Sequence, residues 1–248
     1  MYKRQTYYDG DNNSTHSVDG YFVAPKKFDG NDHEEHRISM TYGGHVETCK
    51  GANTFAVPGI YKILNLIFER YASLPLEKLL EFPIKTAKEG FKLTQPTKDY
   101  FIHSLEPMFM WHEQSKIALA NVHEDLENGI VKLDKLADTL SHMSDEGFND
   151  FYIGDISKSI VETLNIEGGH ATKDDFNGYE LIEENKFEYQ YKNLKLTGHS
   201  GPSIGGLMVL KYLNALSVES QKIEETLKNV YLDRHCLLYT SPSPRDPT

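Results

Sequence analysis

Residues 7–25 read YYDGDNNSTHSVDGYFVAP. Clusters of Asp, Gly and Asn supply the tightly turned backbone of a hairpin. Tyr7 and Tyr8, the DGDNNST segment, and His16 to Val23 are therefore expected as strand, turn and strand. Downstream of Ala56-Val57-Pro58-Gly59 the period changes. Ile60, Ile63, Leu64, Ile67 and Phe68 recur at helical spacing, which predicts a helix ending near Arg70-Tyr71. Pro75 suits a first helical position, and Leu76, Leu79 and Leu80 follow. Pro83 should break or kink that helix, Ile84 to Glu89 resume it, and Gly90 cap it. Further helices are expected over Thr94 to Leu105, Ile130 to Glu146 and Ile156 to Leu164. Thr172 and Asp175 form a capping-box variant with Asp in place of Glu. Tyr179 to Thr197 returns to alternation and aromatics, hence one or two strands. Leu207 to Leu216 reads as a buried helix and Val218 to Asp233 as an amphipathic one. Asp29 to Gly51 is polar and reads as a long surface loop. The chain is mixed, α/β or α+β, and helix-rich in its middle.

Composition narrows the function classes. The 248 residues carry a net charge of −11, with 25% charged and 39% hydrophobic residues, an ordinary globular balance. No run approaches the ~18 apolar residues of a membrane helix. The acidic balance and the lack of a Lys/Arg cluster argue against nucleic acid or an anionic membrane as partner. Two cysteines make neither a metal finger nor a disulfide framework, and MYKRQTYYDG lacks the apolar stretch of a signal peptide.

Both ends read as foreign. Met1 to Gln5 can be encoded as GTG TAT AAG AGA CAG, with GTG read as a start codon. The reverse complement of that oligonucleotide, shifted by one base, encodes Cys-Leu-Leu-Tyr-Thr, which is Cys236 to Thr240. The pair resembles the mosaic-end adapter of transposase-made sequencing libraries. Residues 1–5 and 236–248 are therefore expected to be adapter-like, and residues 6–235 the genuine segment, open at both ends. Without Lys3, Arg4, Arg245 and Asp246 the charge is −13, and Cys49 is the remaining cysteine.

Few motifs carry chemistry by themselves. Gly201-Pro202-Ser203-Ile204-Gly205 is formally G-x-S-x-G between a strand and a helix, the setting of a serine-hydrolase elbow. For the acid and His that must follow, the segment offers Asp233 and His235, both at its last turn, and Pro202 suits the strained turn poorly. A Gly-rich helix entry, in which Gly205-Gly206 let the backbone pass close to another element, is the stronger reading. His33-Glu34-Glu35-His36 has its histidines three apart and no third ligand, unlike H-E-x-x-H, and reads as a solvated loop. Trp111-His112-Glu113 reads as a helix start with a packed Trp. Glu180, Glu183, Glu184 and Glu188 mark an exposed face, and Cys49 sits in a loop without neighbouring bases. No metal or cofactor is expected.

The order of short motifs resembles the gamma-glutamyltranspeptidase family of N-terminal-nucleophile hydrolases. Val18-Asp19-Gly20-Tyr21-Phe22-Val23-Ala24-Pro25 resembles its D-x-R-E-x-A-P segment, and Ala56-Val57-Pro58-Gly59 its A-V-P-G. Phe151-Tyr152-x-Gly154, Gly168-Gly169, and Thr172, Asp175-Phe176 and Tyr179 follow in family order. Gly201 to Gly206 resembles P-P-P-S-S-G-G. The resemblance spans essentially all of Thr6 to His235.

It implies an α+β fold, an incomplete four-layer α-β-β-α sandwich, and a chain forming most of a large subunit. The Thr nucleophile, freed by self-cleavage, would lie in the missing small subunit. Its hydroxyl attacks a gamma-amide carbonyl with its own amine as base, so this chain alone is expected to be inactive. The implied substrate is a gamma-glutamyl or related amide such as glutathione, and the implied location periplasmic or extracellular. Two departures matter. The family Arg that clamps the substrate carboxylate is Tyr21 here, and the next Glu is Phe22. A phenol cannot replace a bidentate guanidinium, so a different acyl group, or recruitment of Lys26 or Lys27, is expected. Ile204 replaces the second Ser of P-S-S-G-G, beside Pro202, Ser203, Gly205 and Gly206. A non-catalytic binding protein of the family and a Ser203 α/β-hydrolase are the alternatives.

Overall fold

The computed structural model describes residues 4–27, 36–41, 46–184, 186–199, 204–217 and 228. The strands are β1 (Arg4–Asp9), β2 (Ser14–Asp19), β3 (His36–Met40), β4 (Val46–Lys50), β5 (Phe91–Lys92), β6 (Ile130–Val131), β7 (Ile182–Glu183), β8 (Lys186–Tyr191) and β9 (Leu194–His199). The helices are α1 (Ile60–Tyr71), α2 (Leu76–Glu89), α3 (Gln95–Ser104), α4 (Glu113–Glu124), α5 (Asp134–Glu146), α6 (Asp150–Ile153), α7 (Asp155–Ile166), α8 (Lys173–Asn177) and α9 (Ile204–Ser217). They fall into two compact units, one of residues 1–24, 58–63 and 179–248, the other of residues 25–57 and 64–178.

In the first unit, β1 and β2 form the expected antiparallel hairpin, with Tyr7 opposite His16. Asp9 caps its turn by accepting the N–H groups of Asp11 and Asn12 at 3.0 and 3.2 Å. Asn13 takes the left-handed conformation, φ 49°, which short polar side chains tolerate. Arg4 and Gln5, read as foreign from the codons, continue β1 opposite Asp19 and Val18. Backbone rungs accept almost any side chain. β7 adds to the other edge of β2, and β8 pairs with β9. The second strand ends at Asp19 rather than Val23, because the chain leaves the ladder at Gly20. That early exit creates the loop that carries Tyr21.

The second unit is mainly helical. Asp29 to Gly51 is not one long loop: among the described residues, β3 and β4 pair there, with Ile38 and Met40 buried. The short alternation in HRISM was the signal. Cys49 consequently lies in a strand, opposite Arg37. The helix α2 runs continuously through Pro83. Pro83 and Leu79, whose carbonyl the proline leaves unbonded, both face solvent, so water can satisfy that carbonyl. Leu76, Leu80 and Ala87 bury the opposite face. Ile130 and Val131 form β6 against β5, so the predicted helix starts only at Asp134. Ala137 and Met143 bury one face of that helix, while Leu136 is 39% exposed.

A core of Leu105, Leu119, Val122 and Val131 joins α3 and α4 through a π-helical turn, Leu105–Phe109. A second packs Phe151 on Phe176 with ring centroids 5.8 Å apart, Tyr152 being fully buried beside them. Thr172 and Asp175 close a reciprocal capping box on α8. Trp111 precedes α4 as expected; its indole N–H donates to the Met108 carbonyl at 2.9 Å and Lys50 covers the ring. The sequence pattern places α9 in the interior, but Val209 is 55% exposed. The helix expected over Val218 to Asp233 lies, apart from Lys228, outside the described residues.

Candidate functional site

The chemistry implied by the sequence centres on the loop that leaves β2. Asp19 ends the strand with its side chain buried. Its Oδ1 accepts the Tyr21 N–H at 2.9 Å, and its Oδ2 accepts Arg4 Nε at 2.8 Å. The Arg4 guanidinium also lies over the Tyr21 ring, 4.5 Å from the centroid, a cation–π geometry. Phe22 stacks on Tyr21 with centroids 4.1 Å apart. From far along the chain, Tyr179 donates its hydroxyl to the Tyr21 carbonyl at 2.6 Å. Burial, and then the Asp19 carboxylate, push the Tyr179 phenol up to about 12. It stays a neutral donor over the physiological range.

Two glycines make room for this knot. A methyl group on Gly59 would overlap the Tyr179 hydroxyl and the Gly20 carbonyl, and one on Gly20 would overlap Ile63. Close approach, not a left-handed φ, requires glycine at both. Ala56-Val57-Pro58-Gly59 thus ends where the loop needs a residue without Cβ.

Around this loop lies a polar layer. Ser17, fully buried, sits 2.8 Å from His199 Nδ1, while Thr6 Oγ1 sits 3.2 Å from Nε2. Burial holds His199 below the ordinary histidine range, even though Asp19 pulls it upward. At the hairpin end, Ser14 Oγ lies 3.0 Å from His16 Nε2, and Nδ1 lies 3.1 Å from Glu184. This has the spacing of an acyl-transfer relay. Its carboxylate, however, is about half exposed and also bound by Lys186 at 2.7 Å. Water and an ammonium share its charge, so the group is a solvated network.

Of the residues singled out from sequence, Tyr21 lies at the centre of this site. Among the described residues nothing lies within 4 Å of a Cβ at Gly205, whereas Gly206 makes the close approach, a Cβ there meeting the Phe187 ring at 3.0 Å. Pro202 and Ser203, with the His33 to Glu35 stretch, lie outside the described residues. Lys26 and Lys27 are exposed, and the Lys26 backbone N–H donates to Asp175. Among the described residues, no group of three or more His, Cys, Asp or Glu is placed to hold a metal. No described helix is long and apolar enough to cross a membrane. Sequence reasoning did not find the roles of Asp19, Gly59 and Tyr179. Their letters stand in recognisable motifs, but 158 positions separate Tyr179 from the carbonyl it holds.

Known structures share this fold. The gamma-glutamyltranspeptidase of Helicobacter pylori matches at 23% identity with a TM-score of 0.75, over 94% of this chain and 70% of that one. The Bacillus anthracis transpeptidase CapD matches at 21% identity and a TM-score of 0.69, over 98% and 78%. The fold is therefore α+β and is shared with these transpeptidases. The family model for gamma-glutamyltranspeptidase matches residues 5–238. The chain belongs to the gamma-glutamyltranspeptidase family. Among relatives, the glutathione hydrolase proenzyme of Escherichia coli K12 is 27% identical over 160 residues, 64% of this chain and 28% of that protein. This chain thus matches less than a third of that relative's length.

Proposed function

We propose that the chain is most of the large subunit of an amide-cleaving enzyme that acts on gamma-glutamyl or related acyl amides. On this reading the Thr nucleophile lies in a small subunit cut from the same precursor. Residues 1–5 and 236–248 are adapter-derived. The isolated chain is inactive because it lacks both nucleophile and base. The observation that carries the reading is the family match over residues 5–238; the resemblance of Val18 to Pro25 to the family's D-x-R-E-x-A-P segment, with Tyr21 in the place of its Arg, supports it. The exported location and the glutathione-like substrate come with the same resemblance.

Tyr21 and Phe22 remove one positive and one negative charge from that loop. A charge-assisted pair contributes about 1.5–3 kcal/mol, so a free glutamyl carboxylate is held less well, and an acyl group without one is favoured. The test uses the full-length protein carrying this segment. Tyr21→Arg should raise turnover of gamma-glutamyl p-nitroanilide about tenfold or more; no change would sink the specificity argument. Hydrolysis of the same anilide by the purified chain would overturn its inactivity.

A further inference from the structure

Residue 21 has left the sheet, so no strand ladder fixes its backbone. Its N–H is held instead by the Asp19 carboxylate at 2.9 Å, and its carbonyl by the Tyr179 hydroxyl at 2.6 Å. Both holding side chains are buried, at 4% and 5% exposure. Gly59 lacks a Cβ where the Tyr179 hydroxyl approaches, and Gly20 lacks one where Ile63 packs. Two buried side chains, one two residues away and one 158 residues away, hold the peptide groups on either side of the Cα of residue 21: together they fix where its side chain starts.

We infer that Asp19 and Tyr179 are positioning residues that clamp the backbone of residue 21 and thereby set which acyl donor the enzyme accepts. This rests on the proposed reading that residue 21 faces the acyl group. The reason for such a clamp is geometric. A recognition side chain on an unanchored loop loses its gain to loop motion, and a displacement near 1 Å at a substrate-positioning group reduces rate by up to about a hundredfold. The clamp acts on the backbone, so it serves Tyr21 in this protein and would serve an Arg equally. Arg4 is not needed, because it uses the other carboxylate oxygen of Asp19.

The experiment uses the full-length protein and two donors, gamma-glutamyl p-nitroanilide and the uncharged butyryl p-nitroanilide. Tyr179→Phe keeps the ring and deletes the hydroxyl. It should raise KM for the better donor about 5–20-fold with kcat changed less than about threefold, and compress the preference between donors. Asp19→Ala should act likewise, and Asp19→Asn, which retains an oxygen acceptor, should recover most of the loss. Asp150→Ala, which removes the cap of α7, should destabilise the protein without moving KM. Hydrogen exchange gives a readout independent of activity. The peptide covering residues 19–25 should exchange about tenfold faster in Tyr179→Phe but not in Asp150→Ala. If Tyr21→Arg shifts donor preference while Tyr179→Phe leaves KM and the donor ratio untouched, the clamp is wrong and the reading of residue 21 stands. If neither donor is cleaved by any variant, the functional reading fails and exchange alone decides the clamp. Unchanged exchange in Tyr179→Phe overturns it.

Discussion

Tyr179 is a phenol whose neutral form the fold prefers. Its ionisation is raised by burial first and by Asp19 second, to about 12, against about 10 for a free tyrosine. A raised folded value stabilises the protein fully below about pH 10, and that contribution is lost as pH rises through about 12. The amount is on the order of 2–3 kcal/mol. Denaturant midpoints of the full-length protein across that window should fall more steeply than those of Tyr179→Phe, which has no proton to lose there. At neutral pH the Phe variant should cost about 1 kcal/mol, the net value of one hydrogen bond. Gly59→Ala should do worse, by about 1–3 kcal/mol or more, because a methyl there collides with both the hydroxyl and the Gly20 carbonyl. Combining it with Tyr179→Phe should recover only part of that loss, the carbonyl clash remaining.

At the scale of elements, α7 shows how a helix start is made without a cap of its own. Asp150, in α6, accepts the N–H groups of Asp155 and Ile156 at 3.3 and 3.2 Å, and lies 3.1 Å from His142 Nε2. It reaches them because Gly154 lies between, where any Cβ would strike its carboxylate. Gly154→Ala should therefore cost about 1–2 kcal/mol through loss of the cap. Asp150→Ala should cost a similar amount. The double variant should be clearly less than additive, since both remove one interaction; additivity in chemical denaturation would refute the shared cause. The capping box at Thr172 was legible in sequence because its partners are three residues apart. The Asp150 cap was not, because the acceptor sits five and six positions before its donors and on a different helix.

At the scale of the molecule, large apolar side chains stand open on several helices. Ile166 is 86% exposed, Phe82 75% and Ile117 72%. On the proposed reading, the rest of the longer protein covers side chains of this kind, and this chain matches 28% of one relative's length. The isolated chain should be poorly soluble or loosely packed, binding a hydrophobic dye and melting broadly, whereas the full-length protein should melt sharply. A sharp, cooperative melt of the chain alone would contradict this.

What the sequence determined by itself was whatever depends on near neighbours. Turn chemistry at Asp9 to Asn13, the period of α1 and α5, the glycine end of α2 and the α8 cap all act within a few residues, so composition and spacing suffice. The ordered run of motifs also pointed to the family and to Tyr21. The end of β2 at Asp19, the β3–β4 pairing, the intact α2 at Pro83 and the clamp on residue 21 were decided by tertiary structure. Each turns on which groups meet, or which face water, after distant segments pack. Val18-Asp19-Gly20-Tyr21 looks like more strand until Tyr179 and Gly59 arrive to hold the chain outside the ladder, and no local pattern encodes a contact 158 residues away.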